Sequence, residues 1–411
     1  MKRTWLLLCA LLMSATITHA QNETLVMWHR YDLADTSNPN AVNLNALIEA
    51  YEAETGVEVV YEQVAWDQLA TKLIVAGTSG GDVPDVVAMG SQYMPSLLDA
   101  GVLRPMDDLL AEAVWTADLN EADSAACMVD GERVCLMVHT RGGITYYRAD
   151  AFDNGFPQTT DAWLDVAPSL SGEGNYFSTQ YAGRSFASIE TLWYPLIVSN
   201  GGAIFDDEGR PAWATDEVAE VVEFMRAQFS NGYFPELNIT GDFPDAETPW
   251  INGDAASFRG ASWSAMFVPG LYDAVDSGEV LLTGGVDFGN APRVFIVSDG
   301  WVVPDGAQNA EAAGVWLELF MQPELLATWA RSQFGVPTLP QAAASDVFDT
   351  PFFESVEGIL SEQGVYMQRS PYYQESLDVL VVAFQELLLE PELDALTRLQ
   401  AAETEVLNRY W

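Results

Sequence analysis

Positive charge is what this 411-residue chain has least of. Sixty aspartates and glutamates face 17 lysines and arginines, a formal net charge of −43, and the lysines are only Lys2 and Lys72. A surface of this kind repels phosphate backbones and excludes nucleic acid as a partner. The acids are spread over the whole length, so they read as a solvated surface serving solubility rather than as a cage for a cation such as a polyamine. Cysteine and histidine are equally scarce, with three of each. No Cys/His spacing resembles a zinc site, so neither a metal nor a cofactor is expected. No segment of about 20 apolar residues is present, which excludes a membrane-spanning helix. Phosphate-loop, G-x-G-x-x-G and G-x-S-x-G motifs are missing too, so the chain is not expected to be an enzyme. Carboxylate pairs for glycoside hydrolysis are uninformative, because so many acids produce pairs by chance; an exported carbohydrate-active enzyme stays as an alternative.

Residues 1–20 read as a signal peptide. Lys2 and Arg3 give the positive start, residues 5–13 the apolar segment, and Thr18-His19-Ala20 a cleavage site before Gln21. The mature protein is then exported, soluble and periplasmic. Cys9 and His19 leave with the leader, and about 390 residues remain, enough for two or more domains. Of the remaining cysteines, Cys127 and Cys135 flank Asp130-Gly131. In an oxidising compartment they are expected to be bridged, across a hairpin whose three-residue loop, Asp130-Gly131-Glu132, pairs Val129 with Arg133. Two free thiols or a metal pair is the alternative.

Residues 25–28 form an apolar strand leading into a polar loop at 31–40. Leu44, Leu47, Ile48 and Tyr51 recur at helical spacing, and Gly56 stops that helix. A second strand at 57–61, a helix at 68–76 with Lys72 outward, a strand at 86–89 and a helix at 95–100 ended by Gly101 follow. This alternation predicts a parallel sheet covered on both faces. Ser91-Gln92-Tyr93 lie at the carboxyl end of the third strand, the edge where open α/β sheets bind ligands. After the cysteines come a strand at 142–148, a helix at 160–170, an apolar run at 193–199 and a helical stripe of Val218, Val221, Val222, Met225 and Phe229. Residues 295–297 and 301–303 are strand-like, interrupted by Ser298-Asp299-Gly300; Ala312, Val315, Trp316, Leu319 and Phe320 form a helix face, and 373–410 is helical with a break at Pro391. Two α/β lobes joined by short segments leave a cleft between them. Thirteen tryptophans are many for this length, and Trp66, Trp193, Trp263 and Trp301 stand beside glycines or polar residues. Aromatic faces stack on sugar rings while Asp, Asn, Gln and Arg satisfy the hydroxyls.

The stretch Gly81-Asp82-Val83-Pro84-Asp85-Val86, followed by Leu98-Asp99-Ala100-Gly101-Val102-Leu103 and Pro105-Met106-Asp107, resembles a signature of the family 1 extracellular solute-binding proteins, the sugar-type, maltose-binding-protein-like receptors of ABC importers. Asp130-Gly131 with Tyr146-Tyr147-Arg148-Ala149-Asp150-Ala151-Phe152, then Trp193 with Gly201-Gly202, Asn252-Gly253-Asp254-Ala255-Ala256 with Trp263, and Gln322-Pro323-Glu324 with Gly335-Val336-Pro337 are similar to later blocks of that family, in the same order. Arg148 replaces the family's usual Asn, and Ser257 its usual Met.

The resemblance implies a type II, two-lobed periplasmic-binding-protein fold, with one lobe holding 22–138 plus 298–340 and the other 139–297 plus 341–411. It also implies a monomeric receptor that captures a small solute, a sugar or oligosaccharide, by hinge closure and passes it to the permease subunits of an ABC transporter. A polyamine or glycerol phosphate is the alternative solute. Strand ends and family position nominate His29, Arg30, Tyr31, Asp32, Gln92, Tyr93, Thr140, Arg141, Glu190, Trp193, Trp263, Asp299, Gly300, Trp301 and Arg369 as ligand contacts, with Asp85 structural.

Overall fold

The computed structural model describes residues 24–120, 124 and 127–411; the leader assigned to 1–20, with its cleavage point, lies outside them. The first lobe begins as the alternation predicts. Strand β1 (Thr24–His29) pairs in parallel with β2 (Glu58–Gln63) on one side and β3 (Val86–Gly90) on the other, with helices α1 (Pro39–Thr55), α2 (Trp66–Ser79) and α3 (Met94–Asp99) between and after them. Asn38 caps the start of α1, and Gly56, at φ 72°, ends it in the left-handed region that favours glycine. Core residues lie on both sheet faces. Leu25, Met27, Val86 and Ala88 pack with Leu44, Ile48 and Tyr51 of α1, while Trp28, Val87 and Met89 pack with Leu69 and Leu73 of α2 and Leu97 of α3.

The sheet does not stay parallel. Strand β10 (Val294–Val302) lies antiparallel to β3 and to β6 (Leu136–Arg148), giving the order β2-β1-β3-β10-β6, which β8 (Ala255–Ala261) and β7 (Tyr176–Gln180) continue. Two strands read from sequence, at 295–297 and 301–303, are one continuous strand, because Ser298-Asp299-Gly300 keeps extended pairing. Likewise the strand expected at 142–148 begins at Leu136. These long strands return the chain between lobes without a helical crossover, so antiparallel pairing follows. The first half of β6 packs its apolar residues in the first lobe. Its second half pairs with β8 (Ala255–Ala261) and β9 (Val280–Thr283) of the second lobe, where β8 also receives β7 (Tyr176–Gln180) in parallel. Gly142 sits where the two strands cross; a Cβ there would stand 2.5 Å from the Phe295 carbonyl. Short β11 (Val336–Pro337) joins β6 at Thr140 and His139, and β12 (Gly364–Val365) joins β10. The second lobe's largest core gathers the Val218, Val221, Val222 and Met225 stripe against the helices Tyr373–Leu389 and Ala395–Tyr410.

Cys127 and Cys135 form a disulfide. The hairpin between them differs by one residue from the expected register. Strands β4 (Met128–Val129) and β5 (Glu132–Arg133) pair Val129 with Glu132 and Met128 with Arg133. The loop is therefore the two-residue Asp130-Gly131, both at positive φ (52° and 89°), the conformation that Asp-Gly favours and that matches strand twist.

Asp85, beside the Gly-Pro turn into β3, is buried and fixes backbone from two directions. Its Oδ2 accepts from the Val26 N–H at 2.8 Å and its Oδ1 from the Asn309 N–H at 2.7 Å. Asp85→Ala is expected to lower unfolding stability by about 3 kcal/mol, because two buried N–H groups lose a charged acceptor. Urea denaturation measures this; a loss below about 1 kcal/mol assigns Asp85 no structural role.

Candidate functional site

The two crossing strands build the site. Asp299 stands opposite His139 and Gly300 opposite Met137, which leaves Val138 as the extra residue of a bulge. Alternation along the strands then puts Asp299, His139 and Arg141 on one face and Ser298 and Thr140 on the other. On the first face the Arg141 guanidinium donates to Asp299 Oδ2, His139 Nε2 lies 3.5 Å from the same oxygen, and Arg30 Nη2, just past β1, is 4.0 Å from it. On the second face the Thr140 and Ser298 hydroxyls are 2.8 Å apart, and Ser298 meets the Tyr366 hydroxyl at 2.6 Å.

Asp299 is fully enclosed, and burial alone would raise its pKa. Arg141 first, then the His139 hydrogen bond and Arg30, reverse this and hold the carboxyl well below the usual carboxylate range. Desolvation pushes His139 down to about 4 despite Asp299, so the imidazole is neutral near pH 7. Arg30 is braced separately. It donates to the Tyr31 hydroxyl at 2.8 Å and to Gln333 Oε1 at 3.0 Å, and its guanidinium lies 4.5 Å from the Trp66 ring centre and 4.9 Å from that of Tyr31. The second lobe brings Glu190, on a buried turn of π-helix (Ile189–Trp193). Its Oε1 accepts from the Tyr373 hydroxyl at 2.6 Å. Burial raises its pKa to about 7, with the Tyr373 hydrogen bond opposing and Asp299 adding to the shift.

These groups border a cavity of about 840 Å³ between the lobes. Arg30, Tyr31, Asn40, Trp66 and Gln92 come from the first lobe, Phe186, Glu190, Phe243, Trp263 and Phe267 from the second, and Arg141, Val297 and Asp299 from the crossing strands. The lobes touch across it. Asn40 Nδ2 is 3.0 Å from Met266 Sδ, and the Arg141 guanidinium is 5.1 Å from the Trp263 ring centre. Several buried polar atoms of the wall have no protein partner among the described residues: Asn40 Oδ1, Gln92 Oε1, Arg141 Nε and Asp299 Oδ1. Unpaired groups of this kind cost free energy until something bonds to them.

Of the nominated residues, Arg30, Tyr31, Gln92, Arg141, Glu190, Trp263 and Asp299 thus share one cavity. The others lie elsewhere. Trp193 is in the core, stacked 4.1 Å from Phe384, and Trp301 packs edge-on to Trp316 and Phe320. His29 is buried among the Tyr31, Trp301 and Trp329 rings, and Tyr93 is buried against Trp66. Asp32 accepts from the Ala34 N–H to shape its own loop. Gly300 abuts Leu136, whose carbonyl oxygen would stand 1.9 Å from an added Cβ. Thr140 turns to the opposite strand face, and Arg369 lines a smaller cavity of about 170 Å³ shared with Ser91 and Gln92. Asn40, Phe186, Phe243, Met266, Phe267 and Phe334 line the large cavity without having been nominated. Met266 and Phe267 follow Trp263 in one short turn, which is the signal that points to them.

Glu190 gives a pH dependence whose sign follows from its raised pKa. The folded state holds the proton more tightly than the unfolded one, so stability present below pH 4.5 is lost as pH rises through about 7. His139 acts oppositely, costing stability as pH falls from 6.5 towards 4. The difference between wild type and Glu190→Gln isolates the first effect. Chemical denaturation is expected to show the variant gaining on wild type by on the order of 3 kcal/mol between pH 5 and pH 8. Parallel stability profiles would rule this account out.

Bacterial extracellular solute-binding proteins, as a family, match residues 46–352. A probable amino-acid ABC transporter periplasmic-binding protein of Sinorhizobium fredii is 21% identical over 291 residues, 66% of this chain and 64% of that protein. An arabinooligosaccharide-binding protein of Halalkalibacterium halodurans is 24% identical over 218 residues, 50% of this chain and 47% of that one. The chain therefore spans between about half and two thirds of these curated relatives. The solute-binding protein of an ABC transporter from Thermotoga lettingae, solved with α-D-tagatose, shares the fold with a TM-score of 0.78 at 18% identity, covering 94% of this chain and 99% of that one. With its two-lobed architecture and a family match over well more than half its length, the chain belongs to the bacterial extracellular solute-binding proteins.

Proposed function

We propose that this protein is the extracytoplasmic receptor of an ABC importer and that it captures a sugar or oligosaccharide in the interlobe cavity. The observation that carries the reading is the composition of that cavity. Rings from both lobes, Tyr31 and Trp66 against Phe186, Phe243 and Trp263, enclose a few buried polar groups that lack protein partners. A sugar presents apolar C–H faces to rings and hydroxyls that both donate and accept, so one ligand satisfies both kinds of surface. The volume of about 840 Å³ exceeds what a single amino acid fills, which favours a sugar over the solute named for the Sinorhizobium relative. The Halalkalibacterium relative and the Thermotoga structure bind carbohydrate by name.

Capture works by rotation of the lobes about the crossing segments at 139–143, 292–298 and 335–341, which part 22–138 with 298–340 from 139–297 with 341–411. The protein acts as a monomer, after removal of its leader, and hands an unaltered ligand to a membrane permease. A cavity walled by aromatic rings and polarised by Arg141 and Asp299 suits the binding of a hydroxylated ligand.

Thermal-shift screening across neutral and acidic oligosaccharides, amino acids, polyamines and glycerol phosphate is expected to show stabilisation by at least one carbohydrate, in proportion to ln(1 + [L]/Kd). Trp263→Ala is expected to weaken that carbohydrate about tenfold, the loss from one stacked ring worth about 1–2 kcal/mol. Stabilisation by amino acids, polyamines or glycerol phosphate with no response to any carbohydrate would overturn the proposal. Product released from the bound oligosaccharide would overturn the non-enzymatic part.

A further inference from the structure

Beside the large cavity lies a second one of about 280 Å³, which shares Phe243, Trp263 and Phe267 with it as a common wall. Its lining is mostly apolar, with two charged exceptions, Arg259 and Glu247. Arg259, in the middle of β8, borders it with its side chain 95% buried. The Arg259 Nη1 atom has no hydrogen-bond partner, and no carboxylate lies within 4.0 Å of this guanidinium among the described residues. The strands on either side place Thr145 and Gln180 opposite it in register, both neutral. Its guanidinium lies 5.4 Å from the centre of the Trp163 ring. Burial pushes its pKa down to about 10, so the group stays charged at neutral pH.

A buried guanidinium with no counter-charge is costly, and the other buried arginines here have partners. Arg141 meets Asp299, and Arg226 meets Glu223 and three backbone carbonyls. An arginine left unpaired at a cavity bounded by the same rings as the ligand cleft lacks an anion. We infer that this side cavity is a subsite for a carboxylate borne by the carbohydrate, so that the ligand is an acidic oligosaccharide containing a hexuronate unit. The planar fork of Arg259 matches a planar carboxylate, and the Trp263 ring shared by both cavities is placed to stack on the unit carrying it. One arginine fits one negative charge. Glu247, in the same cavity, disfavours a dianionic phosphate ester.

The charge of the main cavity agrees with this. Arg30 and Arg141 face Asp299 and a Glu190 that is only partly ionised near pH 7, so two cations meet less than two full negative charges.

The inference rests on the carbohydrate reading, and its test separates the two. Calorimetric titration of the intact mature protein uses matched oligosaccharides of two to four units: galactan and galacturonan, glucan and glucuronan, mannan and mannuronan. In at least one pair the carboxylate member is expected to bind tenfold or more tightly than its neutral partner. Arg259→Met is expected to abolish that preference while changing the neutral partner's affinity less than twofold, and Arg259→Lys to restore it in part. Equal binding of both members of a pair, or a preference that survives in Arg259→Met, overturns the subsite and leaves the carbohydrate reading standing. Binding by no member of any pair overturns both. Should the methionine variant fail to fold, the wild-type comparison alone decides.

Discussion

The interaction on which the rest of the structure depends is the burial of one carboxylate, Asp299, at the place where two strands cross from lobe to lobe. Its partners arrive from separate parts of the chain: Arg141 and His139 from β6, Arg30 from the end of β1. A charge so enclosed is tolerable only because those partners are present, and removing Arg141, the nearest, would leave Asp299 poorly compensated. The bulge at Val138 sets which residues of β6 share the face of Asp299. One local irregularity thereby fixes both the polar centre of the cavity and the alternation that sends Thr140 and Ser298 to the far side.

The same two strands are the mechanical connection. Half of β6 pairs in the first lobe and half in the second, and β10 is shared in the same way. A ligand touching Arg141 and Asp299 therefore touches the hinge itself. Rings on the two lobes complete the enclosure, and Asn40 already approaches Met266 across it. On the proposed reading, lobe closure and ligand contact use the same residues, so the free energy of binding is available to hold the lobes together.

Local pattern made much of this legible before any coordinates. The helical spacing of Leu44, Leu47, Ile48 and Tyr51, the glycine stop at Gly56 and the stripe from Val218 to Met225 are short-range features, and all lie where the pattern puts them. What escaped depends on partners far away in sequence. Ser298-Asp299-Gly300 looks like a break until β3 and β6 supply hydrogen bonds on both sides. Trp193 and Trp301 are chemically as suited to a sugar as Trp263, and only packing decides that two are core and one is wall. Thr140 and Arg141 are neighbours in sequence, and the period of two sends them to opposite faces. Asn40 and Phe243 carried no signal, because each becomes part of the cavity only when the opposite lobe is in place.

The anionic ligand proposed here would meet a protein of net charge −43, and the resolution lies in where the charges sit. The acids are mostly at the surface, where at physiological ionic strength their field decays over about 8 Å. Arg141 and Arg259 are buried and Arg30 is mostly so, and interactions at such sites keep more of their Coulomb strength than at the surface. Surface charge governs solubility and the rate of encounter, whereas the cavity governs what stays bound. An acidic exterior therefore slows the approach of an anionic sugar at low salt and has little hold on it once the lobes close. Three cations of this chain, Arg30, Arg141 and Arg259, matter because they line the cavities, while the surplus of negative charge is left to the solvent.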